Sequence, residues 1–175
     1  MPGGAPRFEE PGTPCQVSDC GYCGRMAGIE LHSSAFHDHG PIPHRHAKDG
    51  ENLSPPLDWS GVPEEASELA LLCEDPDAPS GTFVHWLVTG IDPHIDGLEA
   101  GEMRQDDQPH TNGYGARGWG GPHPPAGDGA HRYVFHLYAL PAPVSIPDAA
   151  TADEAHEVLD RQQLASGTLV GLYQR

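Results

Sequence analysis

The sequence predicts a mainly β domain: two antiparallel sheets packed as a Greek-key β-sandwich, with one or two helices near the C-terminus. Three observations carry this expectation. Glycine and proline supply 22 and 19 of the 175 residues, too many turn-formers for a helix bundle and too many apolar neighbours for a disordered chain. The strongly apolar stretches are short and bounded by turn residues, as strands are. Only one stretch has a helical period with proper start and stop signals, and it lies late in the chain. Strands that do not alternate with helices argue against a doubly wound parallel sheet.

Taken in order, residues 1–27 are dominated by Gly, Pro and Cys without an apolar period, and read as an arm outside a domain spanning 28–175. A short strand is expected near Ile29–Leu31, followed by an ordered loop from Pro41 to Pro56. The first strong strand is Glu68–Glu74, whose centre Leu69-Ala70-Leu71-Leu72-Cys73 is apolar without alternation and therefore buried on both faces. Asp75-Pro76-Asp77-Ala78-Pro79-Ser80-Gly81 breaks it with strong turn chemistry. Phe83–Thr89 is the next strand; strict alternation puts Phe83, His85 and Leu87 on one face and Val84, Trp86 and Val88 on the other. A glycine-rich loop runs from Asp92 to Ala130, a length that usually means function. Tyr133–Leu140 and Thr168–Tyr173 complete the strands. A helix is expected over Ala152–Ala165: Thr151 is an N-cap with Glu154 completing a capping box, Ala155, Val158, Leu159 and Gln162 form its buried stripe, and Gly167 is placed to end it.

Charge and composition restrict function. A net charge of −17 repels nucleic acid and anionic membrane surfaces. The stretch Thr111–His136 is an exception, with Arg117, Arg132, His123, His131 and His136 against the single carboxylate Asp128. No basic, apolar leader follows Met1 and no run reaches membrane-spanning length, so a soluble cytoplasmic protein is expected. Cys20-Gly21-Tyr22-Cys23, with Cys15 upstream, offers three zinc ligands and would need a fourth. A single pair of this kind is weak, so neither metal nor cofactor is assigned. His32, His37, His39, His44 and His46 read as surface residues without a metal-binding spacing.

Chemistry concentrates elsewhere. Pro76 fixes its own φ and holds Asp75 extended at a strand end. Asp77 can pin the turn through backbone N–H groups. His85 lies in an apolar strand and needs a polar pocket or a partner, and an adjacent carboxylate would favour its charged form. Gly118, Gly120 and Gly121 permit close approach of backbone N–H groups to a ligand. Two imidazoles with such N–H groups make an anion site. The same Asp75, His85 and His131 could instead act as acid–base groups of a cofactor-independent enzyme, a cyclase, dehydratase or isomerase, or as a two-histidine, one-carboxylate set for iron.

These motifs also occur together in a known order. Asp75-Pro76-Asp77-Ala78-Pro79, Phe83-Val84-His85-Trp86-Leu87-Val88, Gly120-Gly121-Pro122-His123-Pro124-Pro125 and His131-Arg132-Tyr133-Val134-Phe135 resemble phosphatidylethanolamine-binding proteins, particularly the bacterial Raf kinase inhibitor-like branch. Asp49–Trp59 and Gly167–Tyr173 extend the resemblance, which covers residues 28–175. It implies two antiparallel sheets and an anion pocket lined by Asp75, His85, Gly121, Pro122 and His131, with Asp77 and Pro79 at the rim. Its ligands would be phosphate-like head groups, and its partner a small anionic molecule; a homodimer is one compatible assembly. Two features depart from the resemblance: the Cys-rich arm, and His46-Ala47-Lys48 where the bacterial branch commonly has Tyr-Thr-Cys.

Overall fold

The computed structural model describes residues 28–175. Cys15, Cys20 and Cys23, and the expectation that residues 1–27 stand apart from the core, lie outside the described residues. The chain builds β1 (Glu30–His32), β2 (Gly40–Pro41), β3 (Leu57–Ser60), β4 (Glu68–Asp75), β5 (Phe83–Ile91), β6 (Gly97–Leu98), β7 (Gln108–Pro109), β8 (His131–Leu140), α1 (Ala152–Gln162) and β9 (Ala165–Tyr173). They form a three-stranded sheet, β1-β3-β6, and a six-stranded sheet, β2-β9-β8-β4-β5-β7. All pairings are antiparallel except the short β2–β9 contact. The connection after β5 crosses back, so that β8 pairs with β4 and not with β5. Among the described residues no helix is long and apolar enough to cross a membrane.

Every residue of β4 is buried, as its unbroken apolar run requires. One side of the large sheet packs against the small one: Leu69, Leu71, Cys73, Trp86, Phe135 and Leu137 meet Leu31, Leu57 and Trp59. The other side carries Ala70, Leu72, Leu87 and Leu140, covered by Ala155 and Leu159 of α1. Each fully buried leucine stabilises this arrangement by roughly 1.5–3 kcal/mol relative to leaving it in water.

The structure corrects the alternation expected for β5. Cys73 pairs with Trp86 but Glu74 pairs with Val84, so His85 is an extra residue opposite the β4 ladder. Such a bulge bends the strand and re-aims a side chain. Trp86 lies in the inter-sheet core while Val84 and Leu87 face α1. His85 therefore shares the inter-sheet side with Trp86, packing on Tyr133, and does not share a face with Leu87.

Three smaller expectations also change. The capping box forms: Glu154 N donates to Thr151 Oγ1 (3.3 Å) and Thr151 N to Glu154 Oε2 (2.8 Å). The helix nevertheless stops at Gln162, because Leu164 N bonds Ala139 O (2.8 Å) and draws the chain into β9, where Gly167 lies. Gln162 is exposed, and Ala152 takes its place on the buried stripe. His46 is buried, its Nδ1 bonding Leu53 O at 2.9 Å, and is no surface residue.

Candidate ligand-binding site

Asp75 ends β4, His131 opens β8, and the two strands are neighbours in the sheet. Asp75 has the strand parity of Leu71 and Cys73, and His131 that of Tyr133 and Phe135, so both face the inter-sheet side. Asp75 Oδ2 accepts from His131 Nδ1 at 2.7 Å, and Asp75 Oδ1 accepts from Asp77 N at 2.8 Å. Both side chains are nearly inaccessible, at 7% and 5% for His131 and Asp75. Each carboxylate oxygen thus already holds a donor, and an anion arriving nearby does not meet a bare negative charge.

The bulge carries His85 into the same region. Gly120 N donates to His85 O (2.9 Å), and His85 Nδ1 lies 2.5 Å from Gly120 O. A carbonyl only accepts, so Nδ1 bears the proton and Nε2 is left as the open nitrogen of the neutral ring. Phe83 and Tyr133 enclose the imidazole at ring distances of 4.8 and 5.0 Å, with Tyr114 at 5.7 Å. Burial in this cage pushes the His85 pKa down to about 4, against a partial upward pull from the Gly120 carbonyl and Asp75. The sequence suggested a carboxylate that would favour the charged form. The structure gives that carboxylate to His131, and desolvation decides the state of His85.

Between these residues lies a cleft of about 180 Å³. Of the sequence-predicted residues, Asp75, Pro79, His85 and His131 line it. Gly121 and Pro122 are buried behind it and do not line it: Gly121 N bonds Asn52 Oδ1 (2.8 Å), and Pro122 O accepts from Lys48 N (3.0 Å). A Cβ on Gly121 would come within 2.3 Å of His46 O, which explains glycine there. Asp77 stays outside, clasped by Arg132 Nε and an Nη at 2.9 and 2.7 Å; that guanidinium holds its carboxyl down to about 2.

Sequence reading missed part of the lining, above all Phe83, Tyr114, His123 and Tyr133. Tyr114 sits in the long loop, which is not structureless. Buried Asn112 accepts from Tyr114 N (2.9 Å) and donates to Gly118 O (2.8 Å), shaping the turn that delivers both Tyr114 and Gly120. The Asn112-Gly113-Tyr114-Gly115 segment was the available signal, since Asn bonding its own backbone makes tight turns. Lys48 Nζ lies 3.2 Å from the Tyr114 ring centroid, adding positive charge near the cleft in an otherwise acidic protein. Burial raises the Tyr114 hydroxyl pKa to about 12, so it remains a donor. The Tyr133 hydroxyl is buried without a protein partner. A larger groove of about 510 Å³ beside Pro41, Ile42, Leu172 and Tyr173 brings no comparable set of titratable groups together.

The family model for phosphatidylethanolamine-binding proteins matches residues 32–174. The chain belongs to the phosphatidylethanolamine-binding protein family. Among relatives in this family, the UPF0098 protein of Methanothermobacter thermautotrophicus is 43% identical over 152 residues, covering 84% of this chain and 99% of that one. The crystal structure of CT736 from Chlamydia trachomatis, a candidate family homologue, superposes with a TM-score of 0.76 at 35% identity, covering 85% and 98% of the two chains. YbcL of E. coli, described as a member of the mammalian family, superposes at 0.78 with 26% identity, covering 85% and 99%. The mainly β architecture expected from the sequence is thus that of the family.

The iron alternative finds no support in the geometry. Nδ1 of His85 and of His131 is already bonded, and among the described residues the one group of three metal-ligating side chains with atoms mutually within 4.8 Å does not include Asp75, His85 or His131.

Proposed function

We propose that this protein binds a small phosphate-bearing ligand, free or as a head group, in the cleft between Asp75, His85 and His131. The observation that carries the reading is the pair of imidazoles with Nδ1 committed and Nε2 uncommitted to the fold, beside a carboxylate whose two oxygens are already capped. The cleft, at about 180 Å³, suits a head group and is smaller than the roughly 300–1,000 Å³ usual for drug-sized ligands. The family's name is that of proteins binding a lipid whose head group carries phosphate.

A phosphate oxygen against His85 Nε2 requires one proton between them, on the ring or on the phosphate. Either way the complex holds a proton that fully deprotonated partners lack, so affinity falls as pH rises. Calorimetric titration with inorganic phosphate and with phosphoethanolamine tests this on wild type, His85→Ala and His131→Ala, at a mildly acidic and a neutral pH. Losing one charge-assisted hydrogen bond is worth about 1.5–3 kcal/mol, or roughly ten- to a hundredfold in affinity. A gain for phosphoethanolamine over phosphate identifies a head group as the ligand class. Equal affinities in the three proteins refute the site.

A further inference from the structure

The large sheet carries a second cluster of metal-ligating side chains on the side facing away from the cleft. Glu74 precedes Asp75 in β4 and points to the opposite face. On that face it meets His136 from β8 and His156 from α1. Glu74 Oε1 lies 3.5 Å from His136 Nε2, and Glu74 Oε2 lies 3.2 Å from His156 Nε2. One ligand atom from each of the three residues falls within 4.8 Å of the other two. The imidazoles meet nearly edge to face, with ring centroids 5.1 Å apart and planes at 85°.

We propose that Glu74, His136 and His156 form a three-ligand site for a divalent transition-metal ion of the Zn²⁺ class. Four features support it. Two imidazole nitrogens and a carboxylate oxygen are a donor set suited to zinc, with bonds of roughly 2.0–2.1 Å. A tetrahedron with such bonds has ligand-to-ligand edges of about 3.3–3.4 Å, close to the 3.5 and 3.2 Å separations of Glu74 from the two rings. Both rings are oriented by outer partners: His156 Nδ1 bonds the Tyr138 hydroxyl at 2.9 Å, and His136 Nδ1 bonds Thr168 Oγ1 at 3.4 Å. Fixing Nδ1 in this way turns Nε2 toward the ion, the usual arrangement around metal-bound histidine. Finally, Glu74 is buried to 11% side-chain exposure while the histidines keep 20% and 26%. The anionic ligand is therefore sheltered and a fourth coordination position opens toward solvent.

The three ligands come from β4, β8 and α1. An ion held there ties the helix to the sheet, and because it binds the folded chain it stabilises that state. The site is separate from the ligand cleft, and its test does not depend on that cleft's function.

The experiment uses the full chain carrying C15S, C20S and C23S, so that the arm's thiols cannot compete. Zn²⁺ is titrated in against a chromophoric chelator, with thermal unfolding followed in parallel. The expected result is one equivalent of Zn²⁺ per chain and a melting temperature that rises with Zn²⁺. In the same background E74Q, H136Q or H156Q each weakens binding by roughly tenfold or more and abolishes the thermal shift. Near-ultraviolet circular dichroism verifies that each variant is folded. If a variant does not fold, Co²⁺ added to the parent decides the matter: the His136 and His156 imidazole resonances must be paramagnetically shifted and those of His85 and His131 must not. Absence of stoichiometric binding in the parent, or binding unchanged by all three substitutions, overturns the proposal and leaves a hydrogen-bonded cluster.

Discussion

His85 makes the stability of this fold sensitive to mild acid, in a window set by its own burial. It is 2% exposed, and its cage of aromatic rings holds its pKa at about 4, against an ordinary value of 6.5. The folded pKa is depressed, so between these values the unfolded chain binds more protons than the folded one, and stability rises with pH. The contribution is fully present above the unfolded pKa and is lost as pH falls toward the folded one. At roughly 1.4 kcal/mol per pH unit the gap corresponds to about 3 kcal/mol, of which about 2 kcal/mol is gone by roughly pH 5. The perturbation is His85→Gln, which leaves a group that cannot titrate. Urea unfolding of both proteins, in buffers free of phosphate, gives the free energy of unfolding at steps between about pH 7 and pH 4. The variant loses the Gly120 contact and starts lower; the decisive quantity is the slope. His46 and His110, also depressed by burial, remain in both proteins and cancel from the difference. Wild type should fall about 2 kcal/mol more steeply than the variant by pH 5. Parallel curves would mean that His85 is already charged, or well solvated, in the fold.

Three further outcomes follow from the same geometry. Tyr133→Phe removes a buried hydroxyl with no protein partner, so the ligand-free protein should gain about 1 kcal/mol in urea unfolding while phosphate binding weakens; a loss of stability would show that the hydroxyl is bonded in the free protein. Gly121→Ala drives a methyl group to 2.3 Å from the His46 carbonyl oxygen, where backbone must move, and should cost about 1–3 kcal/mol as well as displace the loop behind the cleft; wild-type stability and phosphate affinity would refute the close approach. Leu159→Ala empties a fully buried position under α1 and should cost about 2–5 kcal/mol in the same assay, with a loss under 1 kcal/mol arguing that the helix is not docked.

The sequence by itself determined the elements whose signals are local. The Leu69–Cys73 run, the Thr151–Glu154 capping box and the Asp75-Pro76-Asp77 turn each lie within a few residues, so propensity, cap chemistry and turn chemistry made them legible, and the structure contains all three. Asp75, His85 and His131 were legible as candidates, and so was the family. Their grouping was not local, since Asp75 and His131 are 56 residues apart and meet only because β8 crosses back to pair with β4. Tertiary structure also decided the face of His85, because a single extra residue in β5 reverses the alternation that periodicity assumes. It decided which histidine receives the Asp75 carboxylate, and that His85 is neutral, since burial is set by rings contributed from β5, β8 and the Asn112 turn together. Glu74, His136 and His156 show the limit most plainly: they occupy two strands and a helix, their spacing matches no motif, and only the packing of α1 onto the sheet brings their ligand atoms to one point.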